Sequence, residues 1–169
     1  MTSDEALMIE FQSGSREAFE ELFARYRGPL YGFFRRRLQG SPRAEDLTQE
    51  VFLAVMRAVS RYEPRALVRT YLYGIALKLL SAERRRHRDT DANTEPSAAA
   101  RPDEALWVRE ALDRLDAGDR EILMLREYEQ LSYGEIAELL RIPLNTVRSR
   151  LFRSRIALKS YLEPEVRHV

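Results

Sequence analysis

The chain has 169 residues, 44% hydrophobic and 33% charged, with a formal net charge of +1, seven Gly, seven Pro, two His and no Cys. That length suits one medium domain or two small ones, and a charge-rich balance with few turn residues favours amphipathic helices over a turn-dense β fold. With no Cys, and His only at His87 and His168, disulfide scaffolds, thiol catalysis, iron–sulfur clusters and His/Cys zinc sites are excluded. The opening residues MTSDEALMIEF carry acids and no apolar leader, and no stretch approaches the roughly 20 apolar residues of a membrane span. A cytoplasmic protein without membrane insertion is expected.

Residues 1–90 hold 16 Lys/Arg against 12 Asp/Glu. Phe19, Leu22, Phe23, Tyr26, Leu30, Phe33, Phe34 and Leu38 recur at three- and four-residue spacing, which predicts a long amphipathic helix with an aromatic face. Gly28-Pro29 is expected to kink or split it. Ser41-Pro42 reads as an N-cap followed by Pro at the first helical position, with Glu45 and Asp46 where the helix dipole favours acids. The helix opened there carries Leu47, Val51, Val55 and Val59 on one side and runs to about Ser60. Asp46, Gln49 and Glu50, with Phe52 and Met56 near them, form a mixed surface suited to a protein partner; a plain solvent-facing row beside core residues would share the same spacing.

Pro64 breaks the pattern, so Arg61–Ala66 reads as a loop. Periodicity resumes at Val68, Leu72, Ile75 and Leu79, in a helix that bears Arg69, Tyr71, Tyr73 and Lys78 and ends in the basic run 84–88. Cations alternating with rings beside a loop suit single-stranded nucleic acid, where base stacking contributes about 1–3 kcal/mol per base. The competing reading of each tyrosine is core packing with a wet hydroxyl. Residues 91–104, DANTEPSAAARPDE, contain two prolines and no apolar period, so they read as a tether between two helical lobes, 1–90 and 105–169.

In the second lobe Leu106, Leu112 and Leu115 begin an amphipathic helix that also carries Trp107. Ala117-Gly118-Asp119 is expected to end it and cap the next, whose apolar side is Ile122, Leu123, Leu125 and Tyr128. Ser132-Tyr133-Gly134-Glu135 matches a capping box for a short helix with Ile136, Ala137, Leu139 and Leu140 inward. After Arg141-Ile142-Pro143 a longer helix spans about Leu144 to Tyr161, completing a helix-turn-helix whose second helix suits the major groove. Arg141 occupies the left-handed turn position where Gly is common, at a cost of roughly 1 kcal/mol. From Arg141 to Leu162 there are six bases and no acid, the pattern of a polyanion-binding face. Arg148, Ser149, Phe152 and Arg153, in its amino-terminal half, are best placed to meet base edges, while Leu151, Ile156 and Leu158 are expected in the core.

Taken in order, EAFEELFARYRGPLYGFFRRRL, AEDLTQEVFLAVMRAV, RTYLYGIALKLLSAERRR and LSYGEIAELLRIPLNTVRSRLFRSRIALKSYL resemble the successive segments of the extracytoplasmic-function (ECF) sigma factors. These are the smallest of the sigma-70 class of bacterial transcription initiation subunits, and the resemblance covers nearly the whole chain. It implies an all-α protein with sigma region 2 at 1–90 and sigma region 4 at 105–169, no enzymatic activity and no cofactor. Asp46, Gln49, Glu50 and Phe52 would dock on the coiled coil of the β′ subunit of core RNA polymerase, and the second lobe would sit on the β flap. Thr146, Arg148, Ser149, Phe152 and Arg153 would read the −35 element of promoter DNA. Tyr62, Arg65, Arg69, Tyr71 and Lys78 would trap a flipped base of the melted −10 element, which withdraws that base from the duplex. A separate anti-sigma factor would regulate the protein. Tyr71 stands where the family usually has Trp, Leu77-Lys78 where it has Arg-Asn, and the loop at Arg65-Ala66-Leu67 is shorter, so the −10 sequence preference does not carry over. The competing reading is a free-standing helix-turn-helix regulator that acts without polymerase, and it leaves DLTQEVF unexplained.

Overall fold

The computed structural model describes residues 1–39, 41–90 and 103–163, with side chains from residue 106 onward in the last stretch. The chain divides into two compact units, Met1–Ala98 and Ala99–Val169. Most of the tether expected at 91–104 lies outside the described residues; its last two positions, Asp103 and Glu104, already belong to a helix. All regular structure among the described residues is helical.

The first unit comprises α1 (Asp4–Gln12), α2 (Arg16–Arg37), α3 (Arg43–Ala58), a 3-10 turn (Val59–Arg61) and α4 (Val68–Thr90). Ser3 caps α1 by accepting from Ala6 N at 3.1 Å, and Ser15 caps α2 by accepting from Ala18 N at 3.2 Å. Between them Gly14 takes φ of 106°, a left-handed conformation that lets the chain reverse at once.

Of the kink or split expected at Gly28-Pro29, the split does not occur, and Pro29 lies inside a continuous α2. Leu22, Tyr26, Leu30, Phe33 and Phe34 are buried along one stripe on both sides of it. Burial of each large side chain is worth about 1.5–3 kcal/mol, which together outweighs the roughly 3 kcal/mol cost of an interior proline. Three neighbours pack on this stripe and its flanks. Phe19 meets Phe11 of α1 at 4.8 Å between ring centroids, Phe23 meets Phe52 of α3 at 4.8 Å, and Phe33 meets Tyr73 of α4 at 5.6 Å.

Helix α3 starts one residue later than its sequence signal, with Pro42 as the cap and the Ser41 hydroxyl accepting from Arg43 N at 3.2 Å. Arg43 then reaches α4, where its Nε and Nη2 donate to the two carboxylate oxygens of Glu83 at 3.1 and 3.4 Å. Glu83 is buried and Arg43 partly so, and the pair ties α3 to α4. Arg86 and His87 approach the same carboxylate at 3.8 Å from the exposed side.

The second unit comprises α5 (Asp103–Asp113), α6 (Ala117–Glu127), α7 (Tyr133–Leu140) and α8 (Leu144–Leu162), around a core of Ile122, Leu125, Leu131, Ile136, Val147 and Leu151. The cap of α6 is Asp116, which accepts from Gly118 N at 3.2 Å, rather than the segment Ala117-Gly118-Asp119 as expected. Asp119 sits in the first turn and is buried, bound to an arginine of α8. The capping box of α7 is complete, with Ser132 Oγ accepting from Glu135 N at 3.1 Å and Glu135 Oε1 accepting from Ser132 N at 3.3 Å. Arg141 takes φ 55° and ψ 48°, the left-handed turn that joins α7 to α8. Ile156 is exposed, not in the core, and buried Ser154 lies on the inward side with Val147 and Leu151.

Two stability changes follow from these contacts. Glu83→Ala strands Arg43 at the α3–α4 contact and is expected to lower unfolding free energy by about 1–3 kcal/mol, while Arg86→Ala, at the exposed side, stays near wild type. Equal effects of the two in urea unfolding would contradict the pairing. Arg141→Gly should raise stability by less than about 1 kcal/mol, the difference between relief of the left-handed strain and the entropy a glycine loses on folding; a lower unfolding midpoint would contradict it.

Candidate functional site

Each unit leaves particular helix faces to solvent, and most of the chemistry-bearing residues lie there. On α3, Leu47, Val51, Phe52 and Val55 are buried while Asp46, Gln49, Leu53 and Met56 are exposed. Positions 46, 49, 53 and 56 follow helical spacing, so an acid, an amide and two apolar side chains form one ridge. Glu50, half-buried on its flank, pairs with Arg43 at 3.5 Å, and Asp46 pairs with the same guanidinium at 3.3 Å. Phe52 is not on this ridge. It is 5% exposed and packs beneath it against Phe19 and Phe23. Leu53 takes its place at the surface, and its spacing from Gln49 is the signal that sequence reasoning overlooked.

The residues around the loop before α4 separate into two groups. Tyr62 and Tyr71 meet edge to face at 5.3 Å between centroids. Tyr62 is buried and Tyr71 half-buried, and burial raises the pKa of both hydroxyls above the ordinary phenol value. Both rings are therefore neutral at physiological pH and offer π faces without repelling a polyanion. The Tyr62 hydroxyl is buried with no hydrogen-bond partner among the described residues. Exposed Lys78 lies seven residues beyond Tyr71, two turns along the same face. Arg65 is exposed on the loop and paired with Glu63. Arg69 stands apart, on the opposite side of α4, close enough to Tyr26 to act on its hydroxyl.

The basic helix α8 also divides. Arg148, Phe152, Arg155, Ile156 and Lys159 line a shallow groove with Tyr133 of α7. Phe152 is 69% exposed, and Ser149 lies exposed beside it with its hydroxyl donating to Thr146 O at 3.1 Å. Arg148 is exposed and donates to Asn145 of its own helix at 3.3 Å. Thr146 is half-buried. Arg153 points elsewhere, its Nε and Nη2 donating to the two oxygens of Asp119 at 3.0 and 2.8 Å. The Asp119 carboxylate raises the Arg153 pKa above its ordinary value, so this cation, although largely exposed, is paired across α6 and α8. Arg155 is likewise held, by Glu127 at 2.8 Å. Next to this groove, with Arg155 and Lys159 shared between the two, Leu123, Leu158 and Leu162 line a second, apolar groove.

No helix among the described residues is long and apolar enough to cross a membrane. No cluster of three or more His, Asp or Glu side chains among them could hold a metal ion.

Comparison with known proteins gives a family for each unit. The family described as sigma-70 region 2 matches residues 22–90, and that described as sigma-70, region 4 matches residues 105–158. The chain is 31% identical to the RNA polymerase sigma-H factor of Pseudomonas aeruginosa, over 97% of this chain and 96% of that protein. It is also 31% identical to the ECF RNA polymerase sigma-E factor of Escherichia coli K12, over 98% and 97% respectively. Among solved structures, CnrH in complex with the cytosolic domain of CnrY is similar with a TM-score of 0.73 at 27% identity, covering 95% of this chain and 97% of that one. A two-region fold with a helix-turn-helix of this kind defines a sigma-70-class initiation factor. Within that class the chain belongs to the extracytoplasmic-function sigma factors. It binds core RNA polymerase, directs it to promoters with −10 and −35 elements and helps open the −10 element to start transcription.

Proposed function

We propose that four surfaces divide this work. The α3 ridge docks on the β′ coiled coil through Asp46, Gln49 and Glu50, with Leu53 and Met56 adding apolar contact and Phe52 supporting them from beneath. The apolar groove of Leu123, Leu158 and Leu162 is the face that sits on the β flap. Arg148, Ser149 and Phe152 meet the bases of the −35 element, since arginine pairs with guanine edges and an aromatic ring touches a thymine methyl. Thr146 supports Ser149, and Arg153 orients α8 through Asp119. The observation that carries this assignment is that the exposed, aromatic side of α8 belongs to a helix with five bases and no acid from Leu144 to Leu162.

Around the loop, Tyr62, Tyr71 and Lys78 hold a base of the melted −10 strand and its phosphate, and Arg65 adds charge from the loop. Arg69, turned toward α2, steadies α4. Regions 1–90 and 105–169 act as separate domains joined by 91–104. The protein is a non-enzymatic subunit that works in the cytoplasm, where polymerase and chromosome are. An anti-sigma factor is its expected regulator; the likeness to CnrH, solved with the cytosolic domain of CnrY, supports that reading.

The surfaces are separable by mutation. Arg148→Ala should weaken −35 recognition by about 1–3 kcal/mol and leave affinity for core polymerase unchanged. Joint replacement of Asp46 and Gln49 by Ala should do the reverse, lowering core affinity first. Equal loss of both activities in the Arg148 variant would mean that α8 is not the reading helix, and unchanged core affinity in the double variant would remove the docking assignment.

A further inference from the structure

Helix α1 reaches the loop before α4 at both of its ends. Gln12, the last residue of α1, donates through Nε2 to the carbonyls of Val59 and Tyr62 at 3.0 and 2.9 Å. Glu5, in the first turn of α1, accepts through Oε1 from the backbone N–H of Val68, the first residue of α4, at 3.0 Å. Seven residues separate Glu5 from Gln12, two helical turns and about 10 Å, so both side chains leave one face of α1. The chain from Tyr62 to Val68 is therefore fastened where it leaves the 3-10 turn and where it enters α4.

The fastening is firm because α1 is itself anchored. Leu7 and Met8 are buried, Asp4 pairs with Arg25 of α2 at 2.7 Å and accepts from the Tyr26 hydroxyl, and Phe11 stacks on Phe19. Glu5 also satisfies a backbone donor that the first turn of α4 would otherwise leave unpaired. Within the fastened segment Tyr62 keeps a buried hydroxyl without a partner among the described residues, a costly arrangement that a bound nucleotide can relieve.

We propose that α1 is a clamp for strand capture, with Gln12 and Glu5 as positioning residues that hold the loop Tyr62–Leu67 in its binding conformation before DNA arrives. The proposal rests on the reading of Tyr62 and Tyr71 as the −10 base site. A loop ordered during folding does not have to be ordered again on binding, so the clamp raises affinity for the melted strand without touching it. It has no part in docking on core polymerase, because the α3 ridge does not involve α1.

Gln12→Glu tests this, since it keeps the length of the side chain and replaces the donor with an acceptor facing two carbonyls. In the full-length free chain, amide hydrogen exchange should accelerate across residues 62–68 and stay unchanged in the buried stretches of α2 and α3. In holoenzyme assembled with core polymerase, affinity for a fluorescent single-stranded oligodeoxynucleotide carrying the −10 region of a promoter it transcribes should fall about three- to tenfold, the loss expected from these hydrogen bonds. Affinity for core should not change. Unchanged exchange and strand affinity would overturn the clamp, and so would a matching loss of core affinity, which would signal a general folding defect. Tyr71→Ala separates the layers: if it weakens strand binding while Gln12→Glu does not, the clamp alone fails, and if Tyr71→Ala leaves strand binding intact, the base-site reading fails and the clamp's role falls with it.

Discussion

Helix α2 is the surface on which the rest of the first unit is built, and it persists although Pro29 removes a backbone donor from its middle. Its amino-terminal half receives α1 through Phe19, Arg25 and Tyr26, and α3 through Phe19 and Phe23. Its carboxy-terminal half receives α4 through Phe33. A break at Pro29 would place these contacts on two independent segments, and the α3 ridge and the α4 loop would lose their common frame. Burial of aromatic area along one uninterrupted stripe thus decides the geometry of two surfaces that are themselves polar.

The charges obey the same economy of position. In each unit a buried acid at a contact between helices is answered by an arginine from another helix, Glu83 by Arg43 and Asp119 by Arg153. Such pairs fix register, since a one-sided change leaves a charge without its counterpart. They also sort the cations. Arg43 and Arg153 are tied to buried acids, whereas Arg148 faces outward beside exposed Phe152 and Lys78 is exposed on α4. The near-neutral net charge of the chain hides this sorting, which is why counterion release at α8 is compatible with a total of only +1.

Local chemistry was readable in the sequence wherever a single turn decides the outcome. The Ser132–Glu135 capping box, the left-handed turn at Arg141 and the loop at Pro64 all depend on residues within a few positions of each other, and all are present. Features set by distant partners were not readable. Nothing adjacent to Asp119 announces Arg153, 34 residues away, so Asp119 read as part of a capping segment with Ala117 and Gly118. Phe52 read as a surface residue because helical period alone does not say that Phe19 and Phe23 cover it. Gln12 gave no signal at all, since its partners lie 47 and 50 residues on. The division of α8 between an outward side bearing Arg148 and Phe152 and a tied side bearing Arg153 likewise needed the position of α6.

The central claim is that one chain carries a core-docking ridge and two DNA-reading surfaces sufficient for promoter choice. Run-off transcription from a fragmented bacterial genome, with core RNA polymerase in the presence and absence of this protein, tests it most directly. The account predicts new discrete start sites that share a −10 and a −35 element, and that appear only when the protein is added. Co-elution with core polymerase but no new starts would contradict the claim that the loop and α4 support melting, and the absence of both starts and co-elution would contradict the account as a whole.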